Sequence, residues 1–257
     1  MTEALAAHAV GSRCRRCGIC CRKGGPGLHL EDKGLVETGR IPLEQLYTIR
    51  AGETVYDNVR ERLHRTSRDI IKIKSRPGRP ECVWLNPAGN GCDHYDDRPL
   101  ECRVLNCRDT HEIESVYCRK RLVRKDLVGE VQGLWDLIRD HQDRCDPRQV
   151  ELRTRAVDPS LKVSPEFHID PSGFHSRSDS TYGGSEATAE LNRILQYDLH
   201  LREVLIEKGG VHPDRVDFLL GRPLYKMLRP LGIDIRLKKD GRLVWMTTDR
   251  KGGEPPC

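Results

Sequence analysis

A chain of 257 residues with 37% hydrophobic and 32% charged residues has room for one large domain or two modest ones around a modest core. No apolar run approaches the roughly 20 residues needed for a membrane-spanning helix, so no membrane association is expected. The net charge of +5 is small for this length and by itself predicts no acidic partner. The start, "MTEALAAHAVGSRC", lacks a basic segment followed by a long apolar one and does not read as a secretory signal. A cytoplasmic protein with reduced thiols is the expectation, and there the 11 cysteines read as metal ligands or redox groups rather than disulfides.

Ten cysteines lie between Cys14 and Cys145, and the eleventh is Cys257. This asymmetry predicts a cysteine-rich metal-binding domain over residues 1–150 and a C-terminal α+β extension over residues 151–257. The expected fold class is α+β. Irregular metal-stabilised loops and a long helix come first, then a small helical and β-hairpin region.

In chain order, "GGPGLHLED" reads as a loop. Residues 54–68 carry Val55, Val59 and Leu63 at i, i+4, i+8, which predicts a helix. "DIIKIK" alternates Ile71 and Ile73 with Lys72 and Lys74 and suits a short strand. Between Cys82 and Cys107 the chain is dense in Gly, Asn, Asp and Pro and lacks a core of its own, so a metal would supply cohesion. A long helix is expected from His111 to Arg144, capped by Asp109 with Glu112 three positions on. Its apolar stripe would hold Val116, Val123, Leu127, Val131, Leu134 and Ile138, with Cys145 in phase and Cys118 on the opposite face. Further on, a helix should carry Leu191, Ile194, Tyr197, Leu201 and Leu205 and stop at Gly209 and Gly210. Another begins near Pro213 and is interrupted at Pro223. "IDIRLKKDGRLVWMT" predicts a hairpin turning at Asp240-Gly241.

The chemistry is in the cysteines. Cys14, Cys17 and Cys20 repeat a Cys-x₂-Cys spacing, like the first three ligands of a bacterial ferredoxin run, but Cys21 follows directly. Adjacent side chains diverge, so these four are not expected to close around one ion. A second group, Cys82, Cys92, Cys102 and Cys107, supplies four more thiols. Eight suffice for two four-thiolate sites or one polynuclear cluster, and the two groups are expected to interleave. Two such sites would each carry about −2 and cancel most of the excess positive charge.

Together, Cys-x₂-Cys-x₂-Cys-Cys and Gly-x-Cys-x-x-Tyr-x-x-Arg-Pro-x-x-Cys-Arg resemble the CxxCxxCC family, the YkgJ-type cysteine cluster or zinc- or iron-chelating proteins. The residues that match are Cys14, Cys17, Gly18, Cys20, Cys21, Cys82, Gly91, Cys92, Tyr95, Arg98, Pro99, Cys102, Arg103 and Cys107, within about residues 11–110. The resemblance implies an iron–sulfur cluster or zinc on those eight cysteines. One branch of the family resembles flagellin lysine N-methylase, which carries an iron–sulfur centre. Here no glycine-rich cofactor loop follows a predicted strand.

Other residues have simpler readings. Cys145 is expected to be core packing, Cys118 a surface thiol and Cys257 a free terminal one. His94 could ligate a metal, but enough thiols already exist, and a hydrogen-bonding neighbour is the simpler role. His168, Asp170 and His175 fall in a polar loop. Pro99 should fix a turn before Cys102, and Arg98 should hydrogen-bond carbonyls or offset cluster charge. The stretch from Arg60 to Arg79 holds eight Arg and Lys residues, interrupted by Glu61 and Asp69 and without aromatic residues. A solvated face is favoured there over a nucleic-acid surface. Function therefore reads as a metal centre serving electron transfer with a redox protein partner, or iron–sulfur-dependent chemistry. The alternatives are a structural zinc module that binds nucleic acid or protein, and a protein-modifying enzyme like the methylase branch.

Overall fold

The computed structural model describes residues 14–57, 61–88, 91–156, 186–229, 233–237 and 243–247. The fold is α+β: among the described residues, helices accompany three antiparallel strand pairs. No helix among the described residues is long and apolar enough to cross a membrane.

Strand β1 (Leu46–Ile49) pairs with β4 (Ile70–Ile73), Leu46 opposite Ile73 and Ile49 opposite Ile70. The alternation read in "DIIKIK" is borne out, with Ile71 and Ile73 fully buried. Two further segments extend the ladder beyond β4. Leu28 N–H donates to the Ile71 carbonyl (2.8 Å) and Ile73 N–H to that of Pro26 (3.0 Å). Leu122 N–H then donates to the Leu28 carbonyl (3.1 Å), and Leu30 N–H to that of Lys120 (2.8 Å). Gly25 is required where the chain crosses β4, since a Cβ there would lie 2.2 Å from the Ile73 carbonyl oxygen.

Two expectations are corrected. Residues 54–57 and 61–68 are not helical: β2 (Thr54–Asp57) and β3 (Arg62–Arg65) pair antiparallel, with Val55 opposite His64, while Val59 lies outside the described residues. The i, i+4 apolar spacing suits either structure. The β-branched and aromatic run Thr54-Val55-Tyr56 favours the strand, and Gly52 N–H and Thr66 N–H continue the ladder at 2.9 Å each.

The long helix is three helices, following α1 (Lys33–Glu37) and α2 (Leu100–Val104): α3 (His111–Tyr117), α4 (Arg124–Val128) and α5 (Gln132–Arg144). Pairing of residues 120–122 with 28–30 takes the first break out of helical conformation and buries Leu122 completely. Val131, expected on the apolar stripe, is exposed. The N-cap of α3 is Thr110 rather than Asp109, although Asp109 accepts the His111 N–H at 3.1 Å.

After α6 (Pro147–Ala156), the expected helix is α7 (Glu186–Glu207), ended at Gly209-Gly210, where Gly210 has φ +63°. Helices α8 (Pro213–Leu219) and α9 (Leu224–Met227) flank Pro223 as expected. β5 (Ile233–Leu237) and β6 (Leu243–Thr247) pair antiparallel, while the Asp240-Gly241 turn lies outside the described residues. So do Cys257, His168, Asp170 and His175.

Two apolar cores result. The first joins Leu28, Leu46, Ile71, Ile73, Leu122 and Ile138 to Phe218 and Leu220. The second surrounds Cys145, Val150, Leu191, Leu195 and Leu224. Cys145 is fully buried and Cys118 exposed, as their positions predicted. Against β1, the Thr48 hydroxyl donates to the Phe218 carbonyl at 2.6 Å, fixing the end of α8 on the sheet.

Candidate metal centre

Both cysteine groups are held by loops rather than regular elements. Residues 14–18 run without repetitive structure, with Arg16 at φ +52° and Gly18 at φ +73°, before one 3₁₀ turn at Cys21–Lys23. The Arg16 N–H reaches the Cys14 Sγ at 3.4 Å. In the second group, Cys82 and Cys92 stand on a short irregular hairpin closed by Leu85 opposite Cys92 and by Asp93 N–H to the Trp84 carbonyl (2.9 Å). One bond stitches the groups together: Cys82 N–H donates to the Cys21 carbonyl at 2.7 Å.

Cys102 rides on α2, whose first turn opens at Pro99, as expected. The buried Asp32 carboxylate accepts the Leu100 N–H (2.8 Å) and the His29 N–H (2.9 Å). Glu101, next to Cys102, turns the other way and accepts from Gly27 N–H (2.7 Å) and Arg121 Nη1 (2.5 Å). These two carboxylates fasten α2 to the segment 27–32 that follows the first cysteine group. Burial alone would raise the Glu101 carboxyl, but the His29 hydrogen bond and the Arg121 charge outweigh it and bring it to about 2.

The loops close around one cavity of about 570 Å³, counting its open mouth. Cys14, Cys17, Cys20, Cys21, Cys92, Cys102 and Cys107 line it. Cys82 is buried and within electrostatic reach of Cys20, Cys21, Cys92 and Cys102. All eight predicted positions thus gather from two segments about 60 residues apart. Cys20 and Cys21 do not diverge: their sulfurs are 3.9 Å apart. Cys20 has helical backbone angles (φ −66°, ψ −37°), so its side chain and the next are not thrown to opposite faces as in a strand.

Arg98 and Tyr95 form the rim. The Arg98 guanidinium stacks on the Tyr95 ring at 3.5 Å while its Nε–H donates to the Tyr95 carbonyl at 2.6 Å. Arg16 also stacks on that ring, at 3.7 Å, and so ties the first loop to the second. His94 instead stacks on the buried Trp84, with ring centroids 4.5 Å apart. The Cys21 hydrogen bond lowers the Cys20 thiol to about 6, and the same bond raises Cys21. Burial pushes Cys82 up to about 11 and Cys102 well above its usual value. Soft thiols crowded beside a guanidinium, in a space larger than water needs, are a donor set for zinc or iron.

Comparison with known proteins agrees. Residues 13–119 match the CxxCxxCC family model, described as "Putative zinc- or iron-chelating domain". The CxxCxxCC segment takes in all eight cysteines of both groups and ends just after Cys118. No curated protein and no solved structure matches the chain.

Outside the CxxCxxCC segment lies a buried cluster that the sequence did not announce. His141, Cys145 and Asp198 place ligand-type atoms within 4.8 Å of one another. The i, i+4 spacing of His141 on α5 and Cys145 at its C-cap was its one sequence signal. Asp198 is already saturated: Oδ1 contacts His141 Nε2 (2.8 Å) and Arg202 Nε (3.1 Å), and Oδ2 accepts the Leu224 N–H (3.0 Å). The fully buried Arg50 adds a second positive charge facing Asp198 and Cys145. Two guanidinium groups disfavour a divalent cation, and burial raises the Cys145 thiol to about 12. The cluster is a charge-balanced tie between α5, α7 and α9.

Burial lowers His141 to about 4 from 6.5, despite Asp198. Between those values the unfolded chain binds more protons than the folded one. Stability is therefore full above pH 6.5 and falls as the pH drops toward 4, by about 3 kcal/mol at most. Urea unfolding at pH 7 and pH 5 should show a larger acid loss in the wild type than in His141→Gln, and equal losses would contradict this assignment.

Proposed function

We propose that the chain is a metal-binding protein whose Cys14, Cys17, Cys20, Cys21, Cys82, Cys92, Cys102 and Cys107 hold an iron–sulfur centre used in electron transfer or iron–sulfur-dependent chemistry. The metal-binding unit is residues 1–150, and residues 151–257 form an extension that contributes Phe218 and Leu220 to its core. The observation that carries the reading is the convergence of two thiol groups on one cavity inside a segment matched to a zinc- or iron-chelating family. An iron–sulfur occupant is favoured over zinc by the ferredoxin-like Cys14, Cys17, Cys20 spacing and by the crowding of thiolates, which a polynuclear cluster tolerates. When bound, such a centre supplies one-electron redox chemistry. The chain's own residues place the thiols, offset their charge through Arg98, and shield Cys82 from water.

The expected result of anaerobic purification is a brown protein with broad visible absorption and with iron and sulfide in stoichiometric amounts. A colourless protein with stoichiometric zinc, unchanged by anaerobic reconstitution with iron and sulfide, would overturn the iron–sulfur assignment and leave the thiolate centre standing.

A further inference from the structure

We infer that Arg16, Tyr95 and Arg98 form a latch on the metal centre, in which Tyr95 is a positioning residue that slows the escape of metal. This rests on the eight-thiol reading above. Tyr95 acts through Arg16, which lies between Cys14 and Cys17 in the chain. All three latch residues line the cavity that the thiols line.

The two halves of the latch differ in how firmly they are held. Tyr95 sits on a fixed platform. Its carbonyl accepts the Arg98 Nε–H (2.6 Å), and the Arg98 carbonyl accepts an Nη1–H of Arg103 (3.1 Å). Arg103, on α2, pairs in turn with the buried Asp32 (3.6 Å). Arg16 instead stands in a loop without repetitive structure, and its guanidinium reaches the Tyr95 ring of the other cysteine group. At 3.5 and 3.7 Å from one ring centroid, two guanidinium groups have no room on the same face. The ring is therefore sandwiched between them.

The Arg16 backbone is an independent sign. Its φ of +52° lies in the left-handed region, which strains an arginine and suits glycine or asparagine. The ring stack offsets that strain, and the Arg16 N–H meets the Cys14 sulfur at 3.4 Å. The strained residue, the stack and the first thiol thus act as one unit. Losing the ring lets Arg16 relax and loosens Cys14 and Cys17 together. The like charges on either side of the ring repel, and ligated thiolates in the same cavity offset that repulsion. A loaded centre therefore favours the closed latch.

The test uses the full chain, loaded anaerobically with Zn²⁺ and challenged with an excess of chromogenic chelator. Tyr95→Leu should release zinc about tenfold faster than the wild type. Tyr95→Phe keeps the ring face and should release at the wild-type rate. Arg16→Asn tolerates the left-handed backbone but cannot stack, so it should also release faster. A position that mattered only through its backbone would release at the wild-type rate or slower. Added to Tyr95→Leu, Arg16→Asn should change nothing further, because both remove one contact. Unchanged release in Tyr95→Leu, equal release in Tyr95→Phe and Tyr95→Leu, or effects that multiply in the double variant would overturn the latch and leave the thiol centre standing. A chain that retains no zinc would overturn the eight-thiol reading itself.

Discussion

Asp198→Ala is expected to lower folding stability by about 4 kcal/mol, the scale for breaking a buried ion pair and leaving its partners charged. Asp198 is 1% exposed and holds the His141 ring, the Arg202 guanidinium and the Leu224 N–H. Its carboxyl is held well below the usual range: burial opposes ionisation, but Arg202 and His141 outweigh it. Without the carboxylate, Arg202 is left, among the described residues, with its bonds to Asp217 (3.1 Å) and the Gly221 carbonyl (2.8 Å), and Arg50 loses a compensating charge. Domains of this size have a total stability of only about 5–15 kcal/mol, so the loss should be plain in urea denaturation followed by circular dichroism. Asp140→Ala, on the exposed face of the same bundle, should cost less than about 1 kcal/mol. Equal shifts for the two would refute the role assigned to the cluster.

Glu101→Ala is the second large effect, and it should reach the metal centre. Glu101 bonds Gly27 N–H and Arg121 across 74 and 20 residues. Its loss strands the buried Arg121 and unfastens the helix that carries Cys102. About 3–5 kcal/mol of stability should go, with faster release of metal to a chelator. Glu101→Gln keeps an acceptor for Gly27 while removing the charge, so its effect should fall between wild type and alanine. The stability this carboxylate contributes is present above pH 4.5 and lost as the pH falls toward 2. Unchanged metal retention in Glu101→Ala would separate the network from the centre.

The two cysteine groups were readable because thiols are chemically distinctive and their spacing survives in the linear chain. The expectation of interleaving agrees with the gathering of both groups, although its premise, diverging Cys20 and Cys21 side chains, does not hold. Strand β4, α7, the Pro223 break and the C-terminal hairpin were readable from period and punctuation. The β2–β3 pairing was not, because Val55 and Leu63 satisfy helical and strand spacing alike. Nor was the break in the long helix, which depends on Leu122 pairing with Leu28, 94 positions earlier. Glu101 and Asp198 look like ordinary surface acids in the sequence. Their partners Gly27, Arg121, His141 and Leu224 become neighbours only in the fold.

The central claim is that two cysteine groups close one centre together. Metal content per chain, measured on the full-length protein and on two quadruple variants, tests it most directly. One variant replaces Cys14, Cys17, Cys20 and Cys21 with serine, and the other Cys82, Cys92, Cys102 and Cys107. Interleaved ligands predict that either variant loses essentially all bound metal. Retention of half the metal by each variant would mean two self-contained sites and would contradict the account.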